Sequence, residues 1–426
     1  MSSPLFRHGR VLLFGILCGF TSGVGQTFFI SLFVPGCEER FNLDKAAFSS
    51  IYAACTIASA FLLPVVGTRI DRISALTFFW QACALLVLGG AACAFSPNLG
   101  LFAVGLFLLR FAGQGLCSHT WNTSVSRFFT HARGRALGIA SLGHPLSESL
   151  MPFATVALVS ATSPSMGFVA VSTLALFFSM PVSAFLLARY NTLPQHFKMP
   201  DNNDKDAVKA SQSSGDSKED ALHFRSWNRR EVFTDFRVWL MMPSWFGPGF
   251  FLTGMFFHQL TLAEEMKWSP VYLSGSFFAF GLARALTSFF GGFLTDALGA
   301  RVMVCVQGIP LAIALCLFAF SSSLWVAPAY LALAGAGIGL GSSARTTFLA
   351  DRFGTLHLGA IRSTAMPLGV LGTAVAPPIF GAMLDDKVPF SSIAVVSSLC
   401  MVILIVLSIV AVIMLGERGD PKPKGG

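Results

Sequence analysis

The chain has 426 residues, 54% of them hydrophobic and only 12% charged, with a formal net charge of +8. A soluble domain carries about twice that share of charged residues, so an ordinary water-facing surface is excluded. A bilayer core needs about 20 apolar residues per helical crossing, and twelve such stretches can be laid out: 10–33, 47–67, 76–95, 99–122, 136–159, 166–188, 238–261, 270–293, 302–320, 325–345, 361–384 and 392–415. Helices are expected because hydrocarbon offers backbone amides no water to bond. The fold class predicted is an all-α membrane protein of twelve transmembrane helices in two pseudo-symmetric six-helix bundles.

The charges sort by loop. Of 29 Lys and Arg, four fall in the loops assigned to the outer side (Arg40, Lys45, Lys267, Lys387) and two inside spans (Arg110, Arg284), leaving 23 for the N-terminus, the alternate loops and the tail. This bias predicts cytoplasmic termini and reports orientation rather than nucleic acid. Basic residues before span 1 resemble the start of a secretory signal, but the apolar run is too long and eleven more spans come after it. Nine cysteines, mostly within spans, show no metal or disulfide spacing and read as apolar packers.

In chain order, span 1 carries GVG at 23–25 followed by Gln26 and Thr27, where a helix can loosen, and span 2 carries Tyr52. Polar groups in span cores line pathways or bond neighbouring helices. Span 4 holds Arg110 near mid-depth and His119 near its inner end; span 5 holds His144 and, one turn on, Glu148. Spans 4 and 5 should be antiparallel neighbours, so an Arg110–Glu148 pair is expected. It is either a structural neutralisation or a protonation site that works by opening the pair, with His144 or His119 relaying the proton. Residues 190–236, including NNDKDAVKASQSSGDSKED, are too polar to bury a core and read as a cytoplasmic linker. They divide a bundle at 1–189 from one at 237–426, and their basic, aromatic end is expected to form a short interfacial helix. His258 and Gln259, near the outer end of span 7, could line a vestibule. Arg284 lies roughly 20 Å into span 8 at about 1.5 Å per residue. A charge there costs about 2.5–3.5 kcal/mol even on lenient scales. Its planar fork suits a carboxylate, so it reads as a substrate anchor, the alternative being a structural ion pair.

The halves repeat. GTRIDR (Gly67 to Arg72, containing Asp71) follows span 2, and GFLTDALGAR (Gly292 to Arg301, containing Asp296) follows span 8. GVG at 23–25 answers GPG at 247–249, GQGL at 113–116 answers GIGL at 337–340, and Pro152 answers Pro377. Parallel repeats with a solute site between them at the midplane are a transporter plan.

On these residues the chain resembles the major facilitator superfamily. The two GxxxD loops look like its signature loop, and LLRFAGQG (Leu108 to Gly115) is similar to its span-4 motif. The resemblance implies that Asp71, Arg72, Asp296 and Arg301 stabilise one access state. GQTFF at 25–29, RGRALGIASLG at 133–143 and Arg284 look like the monocarboxylate and oxalate–formate porter branch, which implies that Arg284 binds the substrate carboxylate. Two departures stand out: Phe280 occupies the place of an Asp one turn before that Arg, and span 11 lacks the Lys of the oxalate exchanger. The second argues against a dicarboxylate.

No phosphate-cradling Gly-Lys-Ser/Thr loop, HExxH or serine-hydrolase elbow occurs, so an enzyme, a cofactor and a resident metal are not expected. The reading is a secondary transporter, monomeric and embedded in a bacterial inner membrane. It moves a small organic anion, a monocarboxylate, with proton coupling or by exchange. Arg284, Gln26, Tyr52 and Arg110 would face the solute; Glu148, His144 and His119 would handle protons. The alternative is efflux of an amphipathic drug by proton antiport. A channel or a receptor on the same scaffold fits a repeat with one off-repeat Arg less well.

Overall fold

A computed structural model describes residues 8–129, 133–188, 227–354 and 357–416, and all of their regular structure is helical. Twelve crossings run in the expected order. Span 1 runs Gly9–Ser22 and, beyond a 3₁₀ turn at Gly23–Gly25, resumes at Thr27, the two arms meeting at 47°. Gln26 takes extended backbone angles at the break. The glycines predict this, because they add conformational freedom and no side chain to hold the ladder. Spans 2, 3 and 4 are Lys45–Gly67, Ala75–Phe95 and Leu99–Phe128, the last with a π-helical stretch at Arg110–Cys117. Span 5 comprises Arg133–Ala140 and Gly143–Ala161, and span 6 is Pro164–Leu187.

Of the expected linker, residues up to 226 lie outside the described region. The chain then enters a short helix, Arg229–Thr234, with a capping box in which Asn228 and Glu231 satisfy each other's backbone amides. Asp235 caps span 7, Phe236–Phe257. Spans 8 to 12 are Pro270–Leu298, Ala300–Val306 with Ile309–Phe320, Val326–Phe353, Leu358–Asp385 and Phe390–Leu415. Eight of these helices, and the broken pair of span 1, are long and apolar enough by themselves to cross a membrane. Spans 5, 7 and 11 fall short of that standard, and all three pack at or near the seam between the halves. Gly143, Pro145 and Pro152 of span 5 and Gly247 and Pro248 of span 7 are buried in protein.

The halves meet where span 2 lies on span 11 and span 5 on span 8. Polar links join them at the end of the bundle remote from the termini. Asp385 accepts hydrogen bonds from the Lys45 and Ala46 amides at 3.2 and 2.8 Å. Gln259 donates to the Phe28 carbonyl at 3.0 Å and to Ser31 Oγ at 2.7 Å. His258 bonds the Pro377 carbonyl within its own half. His258 and Gln259 therefore close this end instead of lining a vestibule, because both are buried by the partner spans that their side chains bond. Towards the termini the seam loosens: Gly281 is pressed against Pro145 and Ser149, whereas Gly138 and Gly292 have open space around them.

Within the first half the tightest contact is between spans 1 and 4. A Cβ on Gly113 would lie 2.5 Å from the Gly25 amide nitrogen and 2.6 Å from its Cα. Small residues let membrane helices approach backbone to backbone, which is the main attraction available without a hydrophobic driving force. Gly113→Val should force spans 1 and 4 apart at a cost of about 1–3 kcal/mol. It should appear as a lowered melting temperature in detergent; an unchanged melt would mean that the two backbones are not in contact.

Candidate functional site

Glu148 and Arg284 come together at mid-depth. Glu148 stands on span 5, 7% exposed, and Arg284 Nη1 donates to its Oε1 across the seam from span 8. The Arg284 side chain keeps 26% of its surface exposed. Glu148 Oε2 is buried without a hydrogen-bond partner. A carboxylate in so confined a place needs a cation, since removing one member of a buried pair costs about 3–5 kcal/mol. The expected Arg110–Glu148 pair is thus corrected: Glu148 pairs with Arg284, from the other half. Adjacency in sequence predicts neighbouring spans, but it does not decide which face each side chain takes.

Arg110 resolves its charge differently. It is 1% exposed, and its Nε donates to Thr56 Oγ1 at 3.0 Å and its Nη1 to the Gly25 carbonyl at 2.7 Å. Its guanidinium lies 4.7 Å from the Tyr52 ring centroid, where the π face attracts a cation. Tyr52 in turn bonds Thr27 Oγ1 at 2.7 Å and meets Phe257 of the other half, ring centroids 4.6 Å apart. The Gly25 carbonyl is free to accept because the break in span 1 removes its regular helical partner. Arg110, Tyr52, Thr27 and Thr56 therefore tie span 1 to spans 2 and 4. Gln26, half-buried at the break, reaches back to Ser22 Oγ at 3.4 Å.

His144 sits one turn before Glu148 but bonds elsewhere. The Trp121 indole N–H can only donate, so His144 Nε2 accepts from it at 3.3 Å, and the ring proton belongs on Nδ1, 3.4 Å from Ser22 Oγ. A relay through His144 would first have to break the Trp121 bond. His119 packs against Gly67, at the end of span 2, and edge-on to Phe78, one span away from Glu148. These two histidines and Glu148 do not form a chain.

The paired loops behave unequally. Asp71 forms an ion pair with Arg127 of span 4, and Arg72 is exposed. Asp296 is exposed, and Arg301 donates to the Val412 carbonyl of span 12 at 3.1 Å. The Asp71 loop therefore holds two spans of its own half. Asp296 makes no equivalent bond among the described residues.

Sequence reasoning misses Arg345. Hydropathy puts it at the end of span 10, among the loop charges, but that helix runs on to Phe353 and leaves Arg345 two turns inside. The boundary charges are Asp351 and Arg352, and their apolar approach, Thr-Thr-Phe-Leu-Ala, is the available signal. The described cavities lie elsewhere. One of about 230 Å³ between spans 1, 5 and 6 is apolar, lined by residues such as Phe20, Val24, Met151 and Leu174.

The profile of the Major Facilitator Superfamily matches residues 15–280 and 246–426. No curated protein shows a recognisable sequence match. Among solved structures, a bacterial homologue of the human lysosomal transporter Spinster, in an inward-facing and unoccupied conformation, is similar with a TM-score of 0.67 at 14% identity. The superposition covers 97% of each chain, a likeness of fold. With matches spanning both halves and the twelve-helix arrangement in place, the chain belongs to the Major Facilitator Superfamily, whose members carry solutes across membranes.

Proposed function

We propose that this carrier moves a small monocarboxylate together with a proton, and that the Arg284–Glu148 ion pair is the coupling device. The pair bridges the halves at mid-depth, where a substrate must pass under alternating access. Breaking it with nothing in return strands two buried charges. An incoming anion alone satisfies Arg284 but strands Glu148. A proton alone neutralises Glu148 but strands Arg284. Only both together leave every charge compensated, so the two are carried as one. The cost of each incomplete state, about 3–5 kcal/mol for a stranded buried charge, is the origin of the coupling. Gln26, half-buried at the break in span 1, is the first half's contribution to the path, whereas Arg110 and Tyr52, at 1% and 0% exposure, brace spans 1, 2 and 4 instead of facing the solute.

The rigid units of the cycle are taken as 1–189 and 237–426, with 190–236 as the linker. The positive loop bias favours cytoplasmic termini, which makes the sealed end the outer one. A monomer in a bacterial inner membrane, in contact with lipid along its outer spans, fits the short loops.

The test is uptake of radiolabelled lactate, pyruvate and formate into proteoliposomes, with and without an inward proton gradient. Arg284→Ala should lose a charge-assisted bond of about 1.5–3 kcal/mol, which corresponds to roughly 10- to 150-fold in apparent affinity. Uptake unchanged in that variant would remove Arg284 from the solute site, and absence of uptake of every acid by folded protein would favour efflux of an amphipathic compound.

Glu148→Gln mimics the protonated acid permanently. Acid-for-acid exchange should persist in this variant, while acceleration by an inward proton gradient should vanish. Retention of full gradient dependence would place the proton elsewhere.

A further inference from the structure

His258 stands at the break between span 7 and the short helix Gln259–Glu265, and it is 1% exposed. Its Nε2 lies 2.9 Å from the Pro377 carbonyl of span 11. A carbonyl can only accept, so the ring proton is on Nε2 and Nδ1 keeps a lone pair. Nδ1 is buried and has no hydrogen-bond partner among the described residues. A second proton there would put a charge and a new donor where no acceptor is placed to receive it. Burying an unpaired charge costs far more than burying a neutral ring, so the sealed end holds His258 neutral.

The residues on either side of His258 are the ones that cross the seam. Phe257 packs against the imidazole edge-on, centroids 5.1 Å apart, and meets Phe48 and Tyr52 of span 2 at 6.2 and 4.6 Å. Gln259 reaches the Phe28 carbonyl and Ser31 Oγ of span 1. The bond of His258 itself stays within the second half. Parting the halves at this end would therefore strip the cover from the ring and leave its Pro377 bond intact. Water would then reach Nδ1, and the ring would titrate in the ordinary histidine range, near pH ~6.5.

The surrounding charges are already engaged or face water. Lys45 and Asp385 are the two whose fields act on the ring. Lys45 pairs with Glu38 at 3.7 Å, and Asp385 holds the Lys45 and Ala46 amides. On the short helix Glu264 is exposed and Glu265 accepts from the Phe390 amide at 2.9 and 3.1 Å. Asp386 and Lys387 beyond span 11, and Glu39 and Arg40 on the outer arm of span 1, are exposed. None of these groups bonds the imidazole among the described residues.

We propose that His258 is a proton-binding site distinct from Glu148, and that it sets how readily the sealed end opens, acid on that side favouring the open state. The sign follows from linkage. The open state binds one proton more than the sealed state, so its share rises as pH falls through the histidine range and is insensitive to pH well above it. This switch depends neither on which solute is carried nor on the reading of the Arg284–Glu148 pair.

The experiment measures the distance across the sealed end in lipid nanodiscs by electron spin resonance, with spin labels carried by non-canonical amino acids at Pro97 and Ser323, exposed loop positions of the two halves. Between pH 7.5 and 5.5 the ratio of wide to narrow distances in wild type should rise, by up to about tenfold per pH unit below about 6.5. His258→Gln, whose amide can keep the Pro377 bond but cannot titrate, should stay flat within about twofold. His258→Asn serves if the glutamine variant does not fold. Glu148→Gln and Glu38→Gln should both keep the rise. A flat wild type, or a rise kept by the His258 variants, overturns the proposal. So does a rise abolished in Glu148→Gln or in Glu38→Gln, which would assign the proton to that acid.

Discussion

A charge in hydrocarbon must find compensation, and the interior of this protein is organised around four that do so in different ways. Arg110 dissolves its charge in neutral acceptors: a hydroxyl, a carbonyl and an aromatic face. Arg284 and Glu148 compensate each other across the seam. Arg345 has an amide to hold it and no acid beside it. The distinction matters because neutral acceptors within one half do not change when the halves move, whereas a partner on the opposite half does. Arg110 and Arg345 are each held by neutral acceptors within one half; Arg284 and Glu148 lie where relative motion alters their surroundings.

The backbone is shaped to serve these side chains. The break in span 1 exposes the Gly25 carbonyl that Arg110 needs, and the contact between Gly25 and Gly113 brings span 4 near enough to use it. The break in span 9 places Gln307 at the point where it can hold Arg345. In span 1 the interruption supplies a backbone carbonyl that a regular helix would have used internally, and in span 9 the group supplied is a side-chain amide seated at the break. Such interruptions are tolerated at membrane depth because they are buried in protein.

Much of the fold is legible because hydrocarbon imposes a simple rule on composition. Twelve apolar stretches, the internal repeat and the loop signatures all emerge from counting and spacing. The loosening after Gly23–Gly25 is legible for the same reason, as is the short helix after the linker. The candidate site is only half legible. Arg284, Glu148 and Arg110 announce themselves as charges within spans. Which of them meet depends on helix rotation and on how the halves dock, and hydropathy carries neither. Arg345 escapes because a hydropathy boundary falls at the first charge. Asp385 escapes, and Gln259 is read as a vestibule group, because an amide or a carboxylate near a loop looks solvated until the opposite half is seen against it.

The amino end of span 2 shows how the far end can be both closed and easily opened. Its own Asp44 caps the Ala47 amide, but the Lys45 and Ala46 amides are satisfied by Asp385, which belongs to the other half. These bonds are exposed, so each is worth little once water can replace it. Parting the halves there hands two amides and a carboxylate to solvent in a single step. Closing that end is therefore a local drying and opening it a local wetting, and the balance between them depends on the activity of water at that face of the membrane.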